Sequence, residues 1–327
     1  MASQKVMSST DELLAPGKKA RMLLIVNPKA TTVSNRLKNL IVYALQARYE
    51  VDAVDTQDRN HATELTRQDA VDDYDIVVAF GGDGTVNETA NGLAGSGVPM
   101  SVLPGGCTNV VCRMLGIPTD VVDASEHLLA LADDLRPRPI DLGRANGRYF
   151  VASAGVGLDA DTTRWVDQRS HLKQRAGPLF FSYAALRSFY GKYRGRPPTL
   201  EVENNGDRVK GVTAVVQNSD PFTYFNNRPV RVCTPTALDD GCLSMSVLER
   251  ASQRDLPVLA WKLLTNRGSV SDHSQVRSFA NVYSATVRAL PRNGDLRPFP
   301  LQVDGDYIDE FTEVEFEICP GALLVVS

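Results

Sequence analysis

The sequence predicts an α/β domain with a parallel sheet followed by a mainly antiparallel β-sandwich, and three observations carry that prediction. Between Arg21 and Pro139, apolar runs of strand length alternate with helix-period patterns, as they do when parallel strands are joined by helical crossovers. Beyond Asp141 the alternation stops and β-rich runs take over. Three of the early strands also end in loops rich in Gly, Asn or Pro, which suits the carboxyl-end loops of an open parallel sheet.

In chain order, the first part reads as strand 22–26, helix 33–48, strand 50–55, helix 61–70, strand 75–80, helix 86–94, strand 99–103 and helices 108–115 and 121–134. The second part reads as strands 149–154, 199–202, 211–217, 242–248, 283–289 and 314–318. Residues 1–20 are polar and small and read as a flexible tail, so the expected units are 1–20, 21–140 and 141–327.

A chain of 327 residues is long for one domain and favours two domains sharing a cleft. Its formal charge of −4 argues against overall attraction to nucleic-acid phosphate, so no nucleic-acid partner is expected. The five cysteines include no Cys-x-x-Cys pair. Reduced thiols of a cytoplasmic protein are therefore expected, not a disulfide framework or a zinc site. No apolar run is long enough to span a bilayer and residues 1–20 lack an apolar signal core, so a soluble or peripheral protein is expected.

The most informative stretch is Gly81-Gly82-Asp83-Gly84-Thr85, which follows the apolar run 75–80 and opens the helical pattern Val86-Asn87-Glu88-Thr89. Paired glycines at a strand end let the backbone approach a polyphosphate, and the helix N-terminus offers free N–H groups and a positive dipole end. Asp83 would repel that anion. Its position makes sense with Mg²⁺ between carboxylate and phosphate, or if it handles a substrate hydroxyl. The plainer reading is a capping box formed by Thr85 and Glu88, with glycines that merely turn the chain.

A second unit of the same kind follows, in which the run 98–103 ends in Pro104-Gly105-Gly106-Cys107-Thr108-Asn109 and leads into Val110-Val111-Cys112-Arg113-Met114-Leu115. Upstream, strand 22–26 ends in Asn27-Pro28-Lys29-Ala30-Thr31. Three loops thus converge on one sheet edge. No G-x-x-x-x-G-K-[ST], His-Arg-Asp or Asp-Phe-Gly element is present, so ATP would have to bind through the glycine loops. Gly155-x-Gly157-x-x-Ala160 matches a dinucleotide fingerprint superficially, but no acidic residue lies about 20 positions further on to hold a ribose.

Asn27-Pro28, the segment from Gly81 to Glu88, and Pro104-Gly105-Gly106 with Asn109 and Arg113 resemble the diacylglycerol kinase catalytic domain of bacterial lipid kinases. Ile140-Asp141-Leu142-Gly143, Gly155-Val156-Gly157, Ala237-Leu238-Asp239-Asp240-Gly241-Cys242-Leu243 and Val303-Asp304-Gly305-Asp306 recur in that family's order, so the resemblance spans about residues 21 to 327. NAD kinases and phosphofructokinases share the Gly-Gly-Asp-Gly-Thr element; the downstream segments distinguish the lipid kinases. The resemblance implies an NAD-kinase-like first domain and a β-rich second domain that takes the lipid. The chain end, Ala322-Leu323-Leu324-Val325-Val326, would return toward the first. ATP and Mg²⁺ are the implied cofactors. The implied activity is phosphorylation of a lipid hydroxyl, foremost diacylglycerol to phosphatidic acid. A sphingoid, ceramide or other glycerolipid acceptor, or an inactive member that binds nucleotide or lipid, are the alternatives.

Carried over position by position, the resemblance lines the ATP site with Asn27, Pro28, Lys29, Ala30, Thr31 and Thr56, then Gly81, Gly82, Asp83, Gly84, Thr85, Val86, Asn87 and Glu88, and finally Gly105, Gly106, Cys107, Thr108 and Asn109. Asp83 would organise the catalytic Mg²⁺, Asp141 would extend its polar network, and Asp306 would be the base. Taken alone, Asp141 reads equally as a strand-end turn residue. Ala237, Asp240 and Cys242 match positions that hold a structural Mg²⁺ in relatives. A metal-free turn is the other reading. The chain departs from the family at Asp306, where glutamate is usual, at Val110, where aspartate is common, at Cys107, and in lacking a glycine shortly after Asn27-Pro28, so that Thr31 and Thr32 supply the loop contacts.

The segment 164–196 holds eight Lys/Arg against the single acid Asp167, interleaved with seven aromatics. A helix starting at Pro178 would place Leu179, Tyr183, Leu186, Tyr190 and Tyr193 on one face. Such a segment suits peripheral docking on an anionic membrane, and equally a helix packed on the β-domain with solvated arginines. The resemblance also leaves a homodimer open.

Overall fold

The computed structural model describes residues 19–169, 184, 185, 187–195, 197–225, 228–250, 252, 253, 255, 258, 259, 261, 262, 270–292 and 294–327. It opens with β1 (Ala20–Val26), α1 (Asn35–Leu45), β2 (Tyr49–Asp55), α2 (His61–Leu65), α3 (Gln68–Val71), β3 (Ile76–Gly81), α4 (Asp83–Leu93), β4 (Met100–Pro104), α5 (Val110–Met114) and α6 (Val121–Ala130). The four strands pair in parallel in the order β2-β1-β3-β4. Strands β3 and β4 are buried throughout and β1 everywhere but at Arg21. With both faces covered, their sequences run as continuous apolar stretches without alternation. Side chains close the helix starts: Ser34 accepts from Leu37 N–H at α1, and Asp120 from Val122 and Asp123 N–H at α6.

Local chemistry moves some boundaries. The helix expected at 61–70 is two helices, because the Thr66 hydroxyl donates back to the Ala62 carbonyl and Arg67 takes an extended conformation. Helix α4 starts at Asp83, ahead of the expected Val86, with Gly82 as its N-cap.

The second part comprises β5 (Arg138–Ala145), β6 (Arg148–Phe150), β7 (Ser153–Gly157), α7 (Leu158–Asp167), β8 (Leu200–Asn204), β9 (Asp207–Gly211), β10 (Thr213–Gln217), β11 (Thr223–Phe225), β12 (Arg228–Val230), β13 (Leu243–Leu248), β14 (Val276–Val282), β15 (Ser284–Ala289), β16 (Pro291–Arg292), β17 (Asp295–Leu296), β18 (Phe299–Val303), β19 (Asp306–Phe311) and β20 (Glu313–Val325). An antiparallel sheet in the order β14-β13-β10-β7-β18-β19 and the strands β20-β15-β8-β9 share a core that includes Phe150, Val156, Met245, Leu301 and Phe316. This is the antiparallel sandwich that the sequence predicts, beside the predicted parallel α/β part.

Strand β20 joins the two parts. It pairs with β15 through Glu313 to Glu317, with β5 from Phe316 to Val325, and reaches β4 where Val325 lies opposite Met100. The sequence suggests separate runs at 314–318 and 322–326. The chain instead stays one strand, with a register shift between Cys319 and Leu323 that contains Gly321 at φ 62°. Of the basic–aromatic segment, the expected helix start at Pro178, with Lys173, Arg175, Leu179, Phe180, Phe181, Tyr183, Leu186 and Arg196, lies outside the described residues. Tyr190 and Tyr193, expected on one face, diverge: Tyr190 is exposed, whereas Tyr193 is buried and donates its hydroxyl to Asp161.

Candidate active site

The strand order puts a topological switch point between β1 and β3, since the chain leaves β1 for one flank and returns on the other. Ligand crevices of open parallel sheets form outside the carboxyl ends at such points. Here the loops knit together. Asn27 donates its backbone N–H to the Phe80 carbonyl (2.9 Å) and its Nδ2 to Thr85 Oγ1 (3.0 Å), and its Oδ1 accepts from Lys29 N–H (2.9 Å). Thr56 N–H donates to Val26 (2.8 Å), Thr32 N–H to Gly105 (3.1 Å) and Gly105 N–H to Gly81 (2.7 Å). The Cys107 thiol reaches Thr31 Oγ1 at 3.5 Å.

Close approach explains the glycine pairs. A Cβ on Gly105 would lie 2.9 Å from the Gly81 Cα, and one on Gly106 would lie 2.8 Å from the Gly82 Cα, so the two loops pack backbone on backbone. Asn109, at φ 48°, closes the second loop by bonding both N–H and C=O of Gly106, each at 2.9 Å. Gly82 caps α4 without a side chain, leaving that helix end open to an anion. The capping-box alternative fails on Glu88, whose carboxylate accepts from Asn60 N–H (2.8 Å) and Ala62 N–H (3.3 Å) and thus caps α2 instead. Asp83 accepts from Val111 N–H at 3.3 Å, between the two glycine loops. The buried Cys112 thiol is pushed up to about 12, by burial first and then by the Asp83 charge.

One face of α4 meets the second part of the chain. Gly84, Asn87 and Asn91 fall on it at helical spacing. Asn91 exchanges hydrogen bonds with the Tyr149 backbone, both at 2.9 Å, and Asn87 Nδ2 donates to the Tyr149 carbonyl (2.9 Å) and to Asp304 (2.8 Å). A Cβ on Gly84 would lie 2.6 Å from Asp306 Oδ2. The Asp304-Gly305-Asp306 turn therefore sits directly on the first turn of α4.

Sequence reasoning missed what fastens that turn. Asp304 is partly buried and accepts from the N–H groups of Val151 (2.8 Å), Ala152 (2.9 Å) and Ser153 (2.9 Å) besides Asn87. Burial pushes its carboxyl pKa up while these donors oppose the rise. Gln302 accepts from Gly305 N–H (2.9 Å) and donates to Asp159 (2.7 Å), whose pKa burial lifts to about 6. Asp167, also on α7, accepts from Tyr307 N–H (3.0 Å). The dinucleotide-like glycines shape this corner: Gly157 sits at φ 78°, and a Cβ on it would lie 2.3 Å from the Val212 carbonyl. Two arginines, Arg59 and Arg148, flank the turn, the first donating to the Tyr307 carbonyl. Their only sequence signal was proximity to the helix start at Asn60 and to Tyr149-Phe150.

Asp141 and Asp240 take other places than expected. Asp141 lies within β5, not at a strand end, and its two oxygens accept from Gly241 N–H (2.7 Å) and Gly321 N–H (2.8 Å). What it shows is a structural tie that fills the irregularity of β20, not a catalytic contact. Asp240 turns both oxygens into its own loop, accepting from Thr236 Oγ1 (2.8 Å), Ala237 N–H (2.8 Å), Cys242 N–H (3.3 Å) and the Cys242 thiol (3.4 Å). Burial raises its pKa, but these donors prevail and lower it. A cation at Ala237, Asp240 and Cys242 would have to displace them, so the loop fits a metal-free turn better than a Mg²⁺ site. Asp83 is different. Among the described residues no cluster of three or more His, Cys, Asp or Glu side chains forms a metal site. One carboxylate beside a phosphate-binding loop is nonetheless what Mg²⁺ takes from a protein when phosphate oxygens and water complete its shell.

Residues 21–145 match the family model of the diacylglycerol kinase catalytic domain, and residues 152–327 match that of the YegS C-terminal NAD kinase beta sandwich-like domain. A diacylglycerol kinase of Bacillus subtilis (strain 168) is 28% identical over 295 residues, covering 88% of this chain and 90% of that one. One from Staphylococcus aureus (strain Newman) is 26% identical over 298 residues, covering 88% and 86%. A crystal structure of a diacylglycerol kinase from Bacillus anthracis str. Sterne superposes with a TM-score of 0.66 at 20% identity, over 94% of this chain and 97% of that one. A second solved structure from the same organism reaches 0.72 at 22% identity over the same shares, a likeness of fold.

Proposed function

The chain belongs to the family that joins a diacylglycerol kinase catalytic domain to a YegS-type, NAD-kinase-like β-sandwich, and from that premise we propose that this lipid kinase phosphorylates diacylglycerol to phosphatidic acid. One observation supports the reading above the others: Asp306, the first residue of β19, lies over Gly84 beside the glycine loops. A carboxylate from the sandwich thus meets the nucleotide crevice of the parallel sheet.

In this reading the backbone of Gly81 to Thr85 and Gly105 to Asn109 cradles the phosphates of ATP, and Asp83 would hold Mg²⁺, which neutralises phosphate charge when bound. Asp306 accepts the proton of the lipid hydroxyl as its oxygen attacks the terminal phosphorus; the bond to the bridging oxygen breaks and ADP leaves. No helix among the described residues is long and apolar enough to cross a membrane. Peripheral docking on an anionic surface draws support from Tyr190, which is exposed and carries Arg194 over its ring at 5.9 Å.

The test is transfer of radiolabelled phosphate from ATP to a panel of vesicle-borne lipids. Labelled phosphatidic acid, strongly suppressed but still measurable in Asp306→Asn with ATP binding retained, is the expected outcome. Labelling of a sphingoid or ceramide in its place would move the acceptor assignment. Binding of Mg-ATP without transfer to any lipid would favour a non-catalytic member.

A further inference from the structure

Asp306 has an unusual environment for a group with a positional task. Its carboxylate accepts no hydrogen bond from the described residues, although the turn around it is fastened through Asp304, Gly305 and Tyr307. Something else must keep it over Gly84. The neighbouring charges narrow the choice.

Arg148, on β6, is half-buried and spans the seam. Its Nη1 donates to Asn60 Oδ1 (3.1 Å) and its Nη2 to Asn87 Oδ1 (2.9 Å), while its buried Nε has no partner. Three carboxylates act on its charge, those of Asp306, Glu88 and Asp304; burial and Arg59 oppose them and lower its pKa. Two of the three are committed elsewhere. Glu88 caps α2 and Asp304 takes four N–H donors. Asp306, lying over Gly84 one turn before the Asn87 that Arg148 grips, is the one left to answer the guanidinium. Arg59 also lies near but is exposed, so water and salt screen it more strongly than the half-buried Arg148.

We propose that Arg148 is a positioning residue that holds the Asp306 carboxylate over the first turn of α4 by charge, leaving both carboxylate oxygens free for a substrate proton. The inference rests on the kinase reading of Asp306. Its physical basis is that a cation fixed by two side-chain amides attracts an anion without occupying its lone pairs, which a direct hydrogen bond would do.

The test compares Arg148→Met and Arg148→Lys, alone and with Asp306→Asn, after thermal melts confirm that each folds. Arg148→Met should lower kcat at least about tenfold, as a displacement of a fraction of an ångström does, with KM for ATP little changed. Arg148→Lys should restore part of the loss. In the Asp306→Asn background, Arg148→Met should cost nothing more. Amide hydrogen exchange of the segment 303–307 in the free protein should quicken in Arg148→Met but not in Arg148→Lys. If the wild type phosphorylates no lipid, the kinase reading fails, and the exchange measurement alone decides whether Arg148 orders this turn. Additive losses in the double variant, or unchanged kcat and exchange in Arg148→Met, would overturn the proposal.

Discussion

Gly84→Ala separates the demands of folding from those of the proposed reaction. The new methyl would lie 2.6 Å from Asp306 Oδ2, whereas ordinary contact begins at 3.4 Å, so the two must part by about 0.8 Å. The obstacle is the far end of a flexible carboxylate, which swings aside at little cost to the fold. Gly84 lies within α4 and its φ is not positive, so alanine gains helix propensity of up to about 1 kcal/mol there. Stability should hold or rise. Catalysis should fall, because a misplacement approaching 1 Å costs up to about a hundredfold, or about 2–3 kcal/mol of transition-state stabilisation. Steady-state transfer to vesicle-borne diacylglycerol, ATP binding by calorimetry and thermal melts would measure the three quantities. A variant as active as wild type would show that Asp306 does not act from this position. A variant that melts several degrees lower and no longer binds ATP would show that the methyl disturbs the nucleotide loops instead. Gly105→Ala is the contrast: its methyl would meet Gly81 backbone at 2.9 Å, which cannot swing away, so it should lower stability.

Asp83→Asn should cut turnover by about two orders of magnitude or more while the melt stays near wild type, because an amide oxygen can still accept from Val111 N–H; near-normal turnover would remove Asp83 from the metal. Asp306→Glu, which restores the family's usual residue, should keep measurable transfer if reach limits the reaction, and assays beside Asp306→Asn would reveal it. For Asp159 the folded pKa of about 6 lies above the unfolded value, so the ionised group destabilises: stability is greatest below about pH 4 and is lost as pH rises through 6. Asp159→Asn should therefore raise stability at pH 7.5 by about 1–3 kcal/mol and leave it unchanged near pH 4, and urea unfolding at the two pH values would expose the opposite sign. Arg187→Glu with Arg194→Glu should weaken binding to anionic vesicles by at least about 2 kcal/mol in co-sedimentation; Lys192 is spared because it pairs with buried Asp161.

The parallel sheet and the glycine loops were legible in the amino-acid order, because both are written locally. Buried central strands must be continuous apolar runs, and Gly105 and Gly106 after β4 stand where any Cβ would strike the backbone of Gly81 and Gly82 at the end of β3. The sequence also pointed to Asp306, though only through a resemblance. What surrounds Asp306 was decided by the tertiary structure. Long-range bonds from Asn87 and Asn91 to Tyr149 and Asp304 bring the β18–β19 turn onto α4, and there Gly84 and Asn87, which read as phosphate-loop residues, become the floor and anchor for that turn. Asp141 shows the same limit, since a register shift far along the chain, at Gly321, supplies the N–H that it satisfies. Periodicity reports which face of an element is covered. Which charged or amide side chain meets which across a seam depends on long-range strand register, and a buried polar group takes the partner that this register delivers.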